Sequence, residues 1–267
     1  MQQDKPITEL CTHNLTDLYY RDANLVEELL GKKTFTEVMF QQITGRAPSL
    51  SDLRIVDAVM ITLMEHGFTP SAIAARLVYM SAPENLQGAV ASGLLAVGSS
   101  FVGTMENCAK LLHEIMNDPE GPETAARRIA ADYRARRASM PGFGHHLHKP
   151  DDPRALKLLE IADDLPEIKG EHVAALRILA RGVDAAAGRH ITINATGAIA
   201  ALLGEIGIPW QVMRGFAVIS RAAGLVAHIA EEQIHPSGRY IWDLIDHDIP
   251  YVGKGEGHNK LSTDGEN

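Results

Sequence analysis

The chain has 267 residues, with 25 Lys and Arg against 34 Asp and Glu, and a net charge of −9. At about 100–200 residues per domain this is one large domain or two small ones, long enough to bury a core without disulfides or a structural metal. An acidic chain lacks the basic face of a non-specific nucleic-acid binder, and 45% hydrophobic with 22% charged residues excludes wholesale disorder. Two cysteines, Cys11 and Cys108, form no CxxC pair and no disulfide framework; two free thiols in a reducing cytoplasm are expected. The opening MQQDKPITEL lacks the basic-then-apolar pattern of a secretory leader.

Strand signals are almost absent, and helical segments follow one another. Ser51-Asp52 caps a helix through Leu53, Val56, Met60 and Leu63 to about Glu65, closed by His66-Gly67. Thr69-Pro70-Ser71 opens the next, through Ile73, Leu77 and Val78, and Ser81-Ala82-Pro83 breaks it. The uncharged run Asn85 to Met105 is long enough to reach across a bilayer, but its many Gly, Ser and Asn residues read as a small-residue helix to about Gly98, buried in a core rather than in a membrane.

Thr104 to Met116 is a helix stopped by the breaker-rich residues 117–122, which make a candidate domain boundary. A charged amphipathic helix from Glu123 to about Ser139 and a loop from Met140 to His145 come next. Asp152-Pro153 opens a helix through Leu156, Leu159 and Ile161, and Glu171 to Ala187 forms another, ending at Gly188. Ile191 to Leu203 is apolar with Asn194 and Thr196 inside it. A long helix from Trp210 to Ile234, with a possible break near Gly224, is followed by an irregular tail.

Twelve histidines are many for this length, and His145, His146 and His148 are the densest group. They lack the ligand number and spacing of a zinc site, so no metal is expected. In Pro141-Gly142-Phe143-Gly144-His145 two glycines can adopt positive φ and bring the backbone close to a ligand, with His145 at the edge. From Arg127 to Arg154 there are seven basic residues and three acidic ones. Such a patch on an acidic chain can attract a polyanionic ligand, and for Arg127 to Arg137 alone a solvated helix accounts equally well.

Taken together, these pieces resemble a known family. Met64-Glu65-His66-Gly67-Phe68-Thr69-Pro70-Ser71 with Arg76, the Ser92–Gly98 segment, Pro141–His145 with Asp152-Pro153-Arg154, Ile193-Asn194 with Gly204–Pro209, and Arg221–His228 follow the order and spacing of citrate synthase superfamily motifs. The likeness runs from about residue 50 to 230 and is greatest to citryl-CoA lyase and the C-terminal lyase module of ATP-citrate lyase. It implies an all-α fold with a large helical domain (1–116 and 222–267) and a smaller mobile CoA-binding domain (117–221), assembled as a homodimer. It also implies chemistry at the C–C bond between an acetyl-CoA unit and a keto acid such as oxaloacetate, with acetyl-CoA or citryl-CoA as substrate.

Carried over residue by residue, the resemblance assigns catalysis to His145, His66 and Thr196. His145 would act at the substrate hydroxyl, where a pKa near the working pH suits acid–base catalysis, and His66 would bond the keto-acid part. Arg154 would hold a carboxylate, ideally by a two-point contact, with Phe101, Asn194, His146 and Arg221 in the same substrate site. Pro141, Gly142, Phe143 and Gly144 would meet CoA through their backbone.

Four positions depart from the pattern. Phe101 stands where citrate synthases have a histidine, as in the lyases. Thr196 replaces the family aspartate and cannot act as a carboxylate base. His146 replaces an arginine of the lyases, and the C-terminal arginine is missing, with Arg239 as a possible substitute. Three readings follow: a citryl-CoA-lyase-like enzyme, an enzyme of the same fold on another acyl-CoA, and a non-catalytic binder of CoA thioesters. The enolate proton would come from water, from Thr196 in a relay, or from another acid.

Overall fold

A computed structural model of the protein describes residues 5–98 and 103–252. Helices dominate, as the sequence predicts, but the chain opens on a small antiparallel sheet of β1 (Cys11–His13), β2 (Leu18–Tyr20) and β3 (Ala23–Asn24). Cys11 pairs with Tyr20, and Tyr19 with Asn24. Strands of two or three residues are too short to show an alternating pattern, so sequence periodicity passes over them. Residues 25–29 form a π-helical turn.

The chain divides into two compact units, Met1–Met64 with Gly98–Ser220, and Glu65–Val97 with Arg221–Asn267. This partition differs from the one expected from sequence. The breakers at 117–122 form a turn between two helices of the first unit instead of a link between domains.

The first unit holds α1 (Phe35–Thr44), α2 (Leu50–Met64), α5 (Thr104–Met116), α6 (Pro122–Ala135), α7 (Pro153–Asp163), α8 (Glu171–Ala187) and α9 (Ala195–Glu205). Its centre is α9, whose residues Ala198 to Leu203 are fully buried against α2, α5, α7 and α8. A helix that is apolar on every face can only be a core helix, and each Leu or Ile buried there contributes about 1.5–3 kcal/mol. Both ends of α9 are tied down. Asn194 caps its first turn, and Arg46, held by the Asp52 carboxylate, donates to the Ile206 carbonyl at 2.8 Å. Glu205 accepts from the Gly170 and Val173 amides at 3.0 and 2.9 Å, and so caps α8, whose own N-cap is glycine.

The second unit is built from α3 (Pro70–Ser81), α4 (Leu86–Leu95), the second half of α10 (Met213–Glu232) and α11 (Gly238–Asp248). Two expectations are corrected in this unit. The small-residue helix is short and only partly covered: Ala89 and Gly93 are its buried residues, and Leu95 is 88% exposed. Gly93 admits the close approach, since a Cβ there would lie 2.8 Å from the Ser71 carbonyl and 2.6 Å from Leu225. The tail after Gly238 is also a helix, α11, which packs against α3. Near Gly224 α10 runs unbroken. Residues 210–232 are long and apolar enough to cross a membrane by length and composition alone, and half of that stretch is buried inside the protein.

Candidate functional site

Two groups of polar side chains contain the predicted site residues, one in each unit. The first is built on the loop 141–152 and the start of α9. Gly144 N donates to Thr192 O at 2.7 Å and Asn194 N donates to Gly142 O at 3.0 Å, which pairs Phe143 with Ile193 as a single β-bridge. Gly142 and Gly144 have φ of +84° and +79°, as the Gly-x-Gly pattern predicts. Gly142 is constrained twice, because a Cβ there would also sit 2.6 Å from Cys108 Sγ and 2.9 Å from Gly197 Cα. Burial pushes the Cys108 thiol up to about 12. The Phe143 and Gly144 amides are thus used inside the loop, Phe143 N on Met140 O and Gly144 N on Thr192 O. Phe143 itself is buried at the bridge.

This frame carries His145. Its ring lies between those of His146 and His148, with centroids 4.7 and 4.4 Å away. Nδ1 accepts from the Leu147 and His148 amides at 3.1 and 3.0 Å. Nε2 lies 3.2 Å from Nη2 of Arg154. With Nδ1 accepting, the neutral ring carries its proton on Nε2, so two donors face each other across that 3.2 Å. Both groups are of a kind that donates to an anionic oxygen. Burial, with the His148 and Arg154 charges behind it, holds the His145 pKa below the ordinary histidine value.

Arg154 is fixed from behind. Its Nε and Nη2 donate to the two oxygens of the fully buried Asp152 at 3.0 and 2.8 Å. Asp152 also accepts from the Arg154 and Ala195 amides at 3.0 and 3.1 Å. Burial works to raise this carboxyl, but the Arg154 hydrogen bonds and charge, with the two amides, hold it below the usual carboxylate range. The sequence marks Asp152 as a helix-opening residue and as part of the Asp152-Pro153-Arg154 motif; the structure adds that it anchors the site's arginine.

Asn194 and Thr196 close the group. Asn194 Nδ2 donates to Gly144 O at 3.0 Å, so its Oδ1 is the acceptor for Thr196 N at 3.0 Å, Gly197 N at 3.2 Å and Thr196 Oγ1 at 2.7 Å. Thr104 Oγ1 lies 2.7 Å from Thr196 Oγ1. The Thr196 hydroxyl has one proton and gives it to Asn194, so Thr104 donates to Thr196. The chain of hydroxyls ends on an amide oxygen that has no proton to pass on. This counts against the relay role expected of Thr196.

The second group lies at the start of α3 and along α10. Glu65 Oε1 accepts from the His66 and Gly67 amides, both at 2.7 Å, and shapes the turn that exposes His66. Gly67 takes φ of +72° there. Buried His228 accepts from Arg76 Nε at 2.9 Å through Nδ1, so its Nε2–H donates to Glu65 at 3.0 Å. Arg76, 1% exposed, also binds Glu232 at 2.7 Å and Glu231, and lies over the Phe68 ring. Burial acts to raise the Glu65 carboxyl, but the His66 amide, His228 and the Gly67 amide bring it below its usual value. Arg221 is buried, its Nε and Nη1 have no hydrogen-bond acceptor among the described residues, and Glu65 Oε1 is 4.0 Å from Nη1. Burial lowers its pKa against the pull of Glu65. Such an orphaned guanidinium fits an anionic ligand.

Phe101 lies outside the described residues. Arg239, on α11, pairs with Asp243 at 2.9 Å and lies over Trp242. The basic stretch is partly neutralised: Arg128 pairs with Asp118 at 2.6 Å and Arg136 with Asp132. Arg134 and Arg137 line a surface cavity of about 500 Å³ with Tyr133. Among the described residues no group of three or more His, Cys, Asp or Glu side chains is arranged to hold a metal ion.

Comparison with known proteins gives consistent matches. The family model described as citrate synthase, C-terminal domain, matches residues 11–242. The structure of citryl-CoA lyase from Hydrogenobacter thermophilus superposes with a TM-score of 0.82 at 31% identity, covering 93% of this chain and 95% of that one. ATP citrate lyase from Methanothrix soehngenii, solved in complex with citrate and coenzyme A, gives 0.75 at 20% identity over 96% of this chain and 43% of its own, a likeness of fold. The 2-methylcitrate synthase of Shewanella oneidensis is 26% identical over 74% of this chain and 52% of its own length. The chain spans about half the length of the curated relatives it matches.

Proposed function

The chain belongs to the citrate synthase family, and from that premise we propose that it makes or breaks the C–C bond between an acetyl-CoA unit and a keto acid, as a citryl-CoA-lyase-like enzyme. The observation that carries the reading is the shared edge of His145 and Arg154. A neutral imidazole Nε2–H and a guanidinium, 3.2 Å apart, present donors to adjacent oxygens of one anionic substrate. A substrate whose hydroxyl becomes a carbonyl next to a carboxylate offers both an oxygen for His145 and a carboxylate for Arg154.

In this reading His145 acts as an electrophile more than as a proton shuttle. Two backbone amides on Nδ1 keep the proton on Nε2, so the ring stabilises the alkoxide by donating to it. In the cleavage direction the hydroxyl proton goes to water, the electron pair of the C–C bond passes to the thioester as its enolate, and water returns a proton to the enolate carbon to give acetyl-CoA. Arg154 holds the neighbouring carboxylate; in the second unit Arg221, whose buried Nε and Nη1 have no acceptor among the described residues, suits an anionic group of a ligand. Any CoA contact with this loop uses groups other than the Phe143 and Gly144 amides, which already donate to Met140 O and Thr192 O. The homodimer belongs to the same proposal, supported by exposed Tyr240, Trp242, Leu244 and Ile245 on α11.

A second reading, the same chemistry on a different acyl-CoA, is favoured by Thr196, whose hydroxyl is closed off by Asn194. Profiling purified protein on citryl-CoA, 2-methylcitryl-CoA and less carboxylated 3-hydroxyacyl-CoA thioesters decides between them. Release of acetyl-CoA and oxaloacetate from citryl-CoA as the preferred reaction supports the first. Preference for another thioester supports the second, and binding of all without turnover overturns both.

A further inference from the structure

His190 stands in the short link between α8 and the β-bridge at Ile193, and nothing in its immediate sequence marks it as functional. Its ring lies between two carboxylates on different elements. Nδ1 is 3.0 Å from Asp184 Oδ2, on the last turn of α8, and Nε2 is 3.0 Å from Asp151 Oδ1, on the turn ahead of α7. A neutral imidazole has one N–H, and ionised carboxylates only accept. Both contacts are hydrogen bonds only when the ring carries both protons.

The two carboxylates differ in how they are held. Asp184 also accepts from the Ile191 amide at 2.7 Å, so it stays with the 190–192 link whatever the state of the ring. Asp151 directly precedes Asp152, the buried anchor of Arg154, whose Nη2 meets His145. Two further tethers join this turn to residues 192–195: Thr192 Oγ1 to Pro150 O, and Ala195 N to Asp152 Oδ2 at 3.1 Å. Neither of those changes with the protonation of an imidazole.

We propose that His190 is a positioning residue: protonated, it clamps Asp151 to Asp184 and holds the His145–Arg154 loop against the 190–194 segment; deprotonated, it releases one side. The consequence for catalysis rests on the function proposed above, but the clamp itself does not. The charged groups facing the ring are Asp184 from α8 and Asp151 from the turn before α7, and their hydrogen bonds raise its pKa above the ordinary histidine value. The sign follows: the clamp is closed below the histidine range and opens as the pH rises through the raised value.

Hydrogen exchange of the amides of residues 145–152 reads the clamp without requiring turnover. Exchange is measured on the full chain at pH 5.5 and 7.5 and corrected for intrinsic rates, in wild type, His190→Gln and His190→Arg, with thermal melting to confirm that each variant folds. Wild type is expected to lose protection of about two- to fivefold between the two pH values, the size of effect an exposed ion pair supplies. His190→Gln should be evenly less protected at both, and His190→Arg, permanently charged with several donors, protected at both. Every other ionisable group is the same in all three proteins, so the difference between proteins isolates His190. The same pH response in His190→Gln as in wild type, or none in wild type, overturns the proposal. Loss of the clamp with acyl-CoA turnover unchanged would leave the proposed function intact and remove only the positioning role.

Discussion

The Thr196 hydroxyl donates to Asn194 Oδ1 at 2.7 Å, and that one bond decides what Thr196 can do. Asn194 cannot turn its amide over, because Nδ2 is on Gly144 O and Oδ1 collects two α9 amides as well. Where the family has a carboxylate, this chain has a hydroxyl whose proton is already committed inward. Thr196→Val keeps the shape and removes the hydroxyl. We expect it to cost about 1–2 kcal/mol in urea denaturation, as Asn194 and Thr104 each lose a partner. Turnover of whichever acyl-CoA the wild type accepts should fall less than about tenfold, whereas loss of a true acid or base costs about 10²–10⁴-fold.

The two loop glycines should respond differently to alanine. At Gly144 the obstacle is φ of +79° alone, with nothing within 4 Å of an added Cβ, so Gly144→Ala should cost about 1–2 kcal/mol. At Gly142 the same backbone strain adds to collision with Cys108 and Gly197, and Gly142→Ala should cost at least about 2 kcal/mol more. Chemical denaturation of both variants side by side checks the order.

Thiol chemistry reports on the same packing. Cys108 is fully buried with its pKa pushed up to about 12, whereas Cys11 is exposed. Thiolate is the reactive form. Titration of the native protein with an aromatic disulfide reagent should label one thiol per chain, and the second should appear only on denaturation.

Stability should fall in acid in two separate windows. His145 has a depressed pKa, so its contribution is present above its unfolded value near 6.5 and is lost as the pH falls through the lower folded value. Asp152 is likewise held low by Arg154, and its contribution is lost further into acid, below the ordinary carboxylate range. Unfolding free energies between pH 3 and pH 8 should show both losses. Asp152→Asn should lose the lower one and keep the upper.

Much of the fold was legible because helix ends are written locally. Thr69-Pro70 and Asp152-Pro153 mark helix starts through cap hydrogen bonds within three residues of themselves, Gly188 marks an end through its left-handed backbone, and the structure places helix ends at each. Helix α11 escaped notice because Pro236 and Gly238 signal a turn, while its stability comes from packing on α3, far away in sequence. At the site, the positive φ of Gly142 and Gly144 follows from composition. The anchoring role of Asp152, the dead-end hydroxyl of Thr196 and the bridge from His190 to Asp151 depend on partners up to 92 residues apart, which no local pattern reveals.

The account turns on His145 donating Nε2–H to the substrate oxygen beside Arg154. The most direct test is cleavage of citryl-CoA by wild type and His145→Ala, with CoA-thioester binding measured in parallel by calorimetry. The account predicts acetyl-CoA and oxaloacetate from wild type, a loss of about 10²–10³-fold in kcat for His145→Ala, and binding retained. Equal turnover by both proteins, or binding by wild type with no turnover, would contradict it.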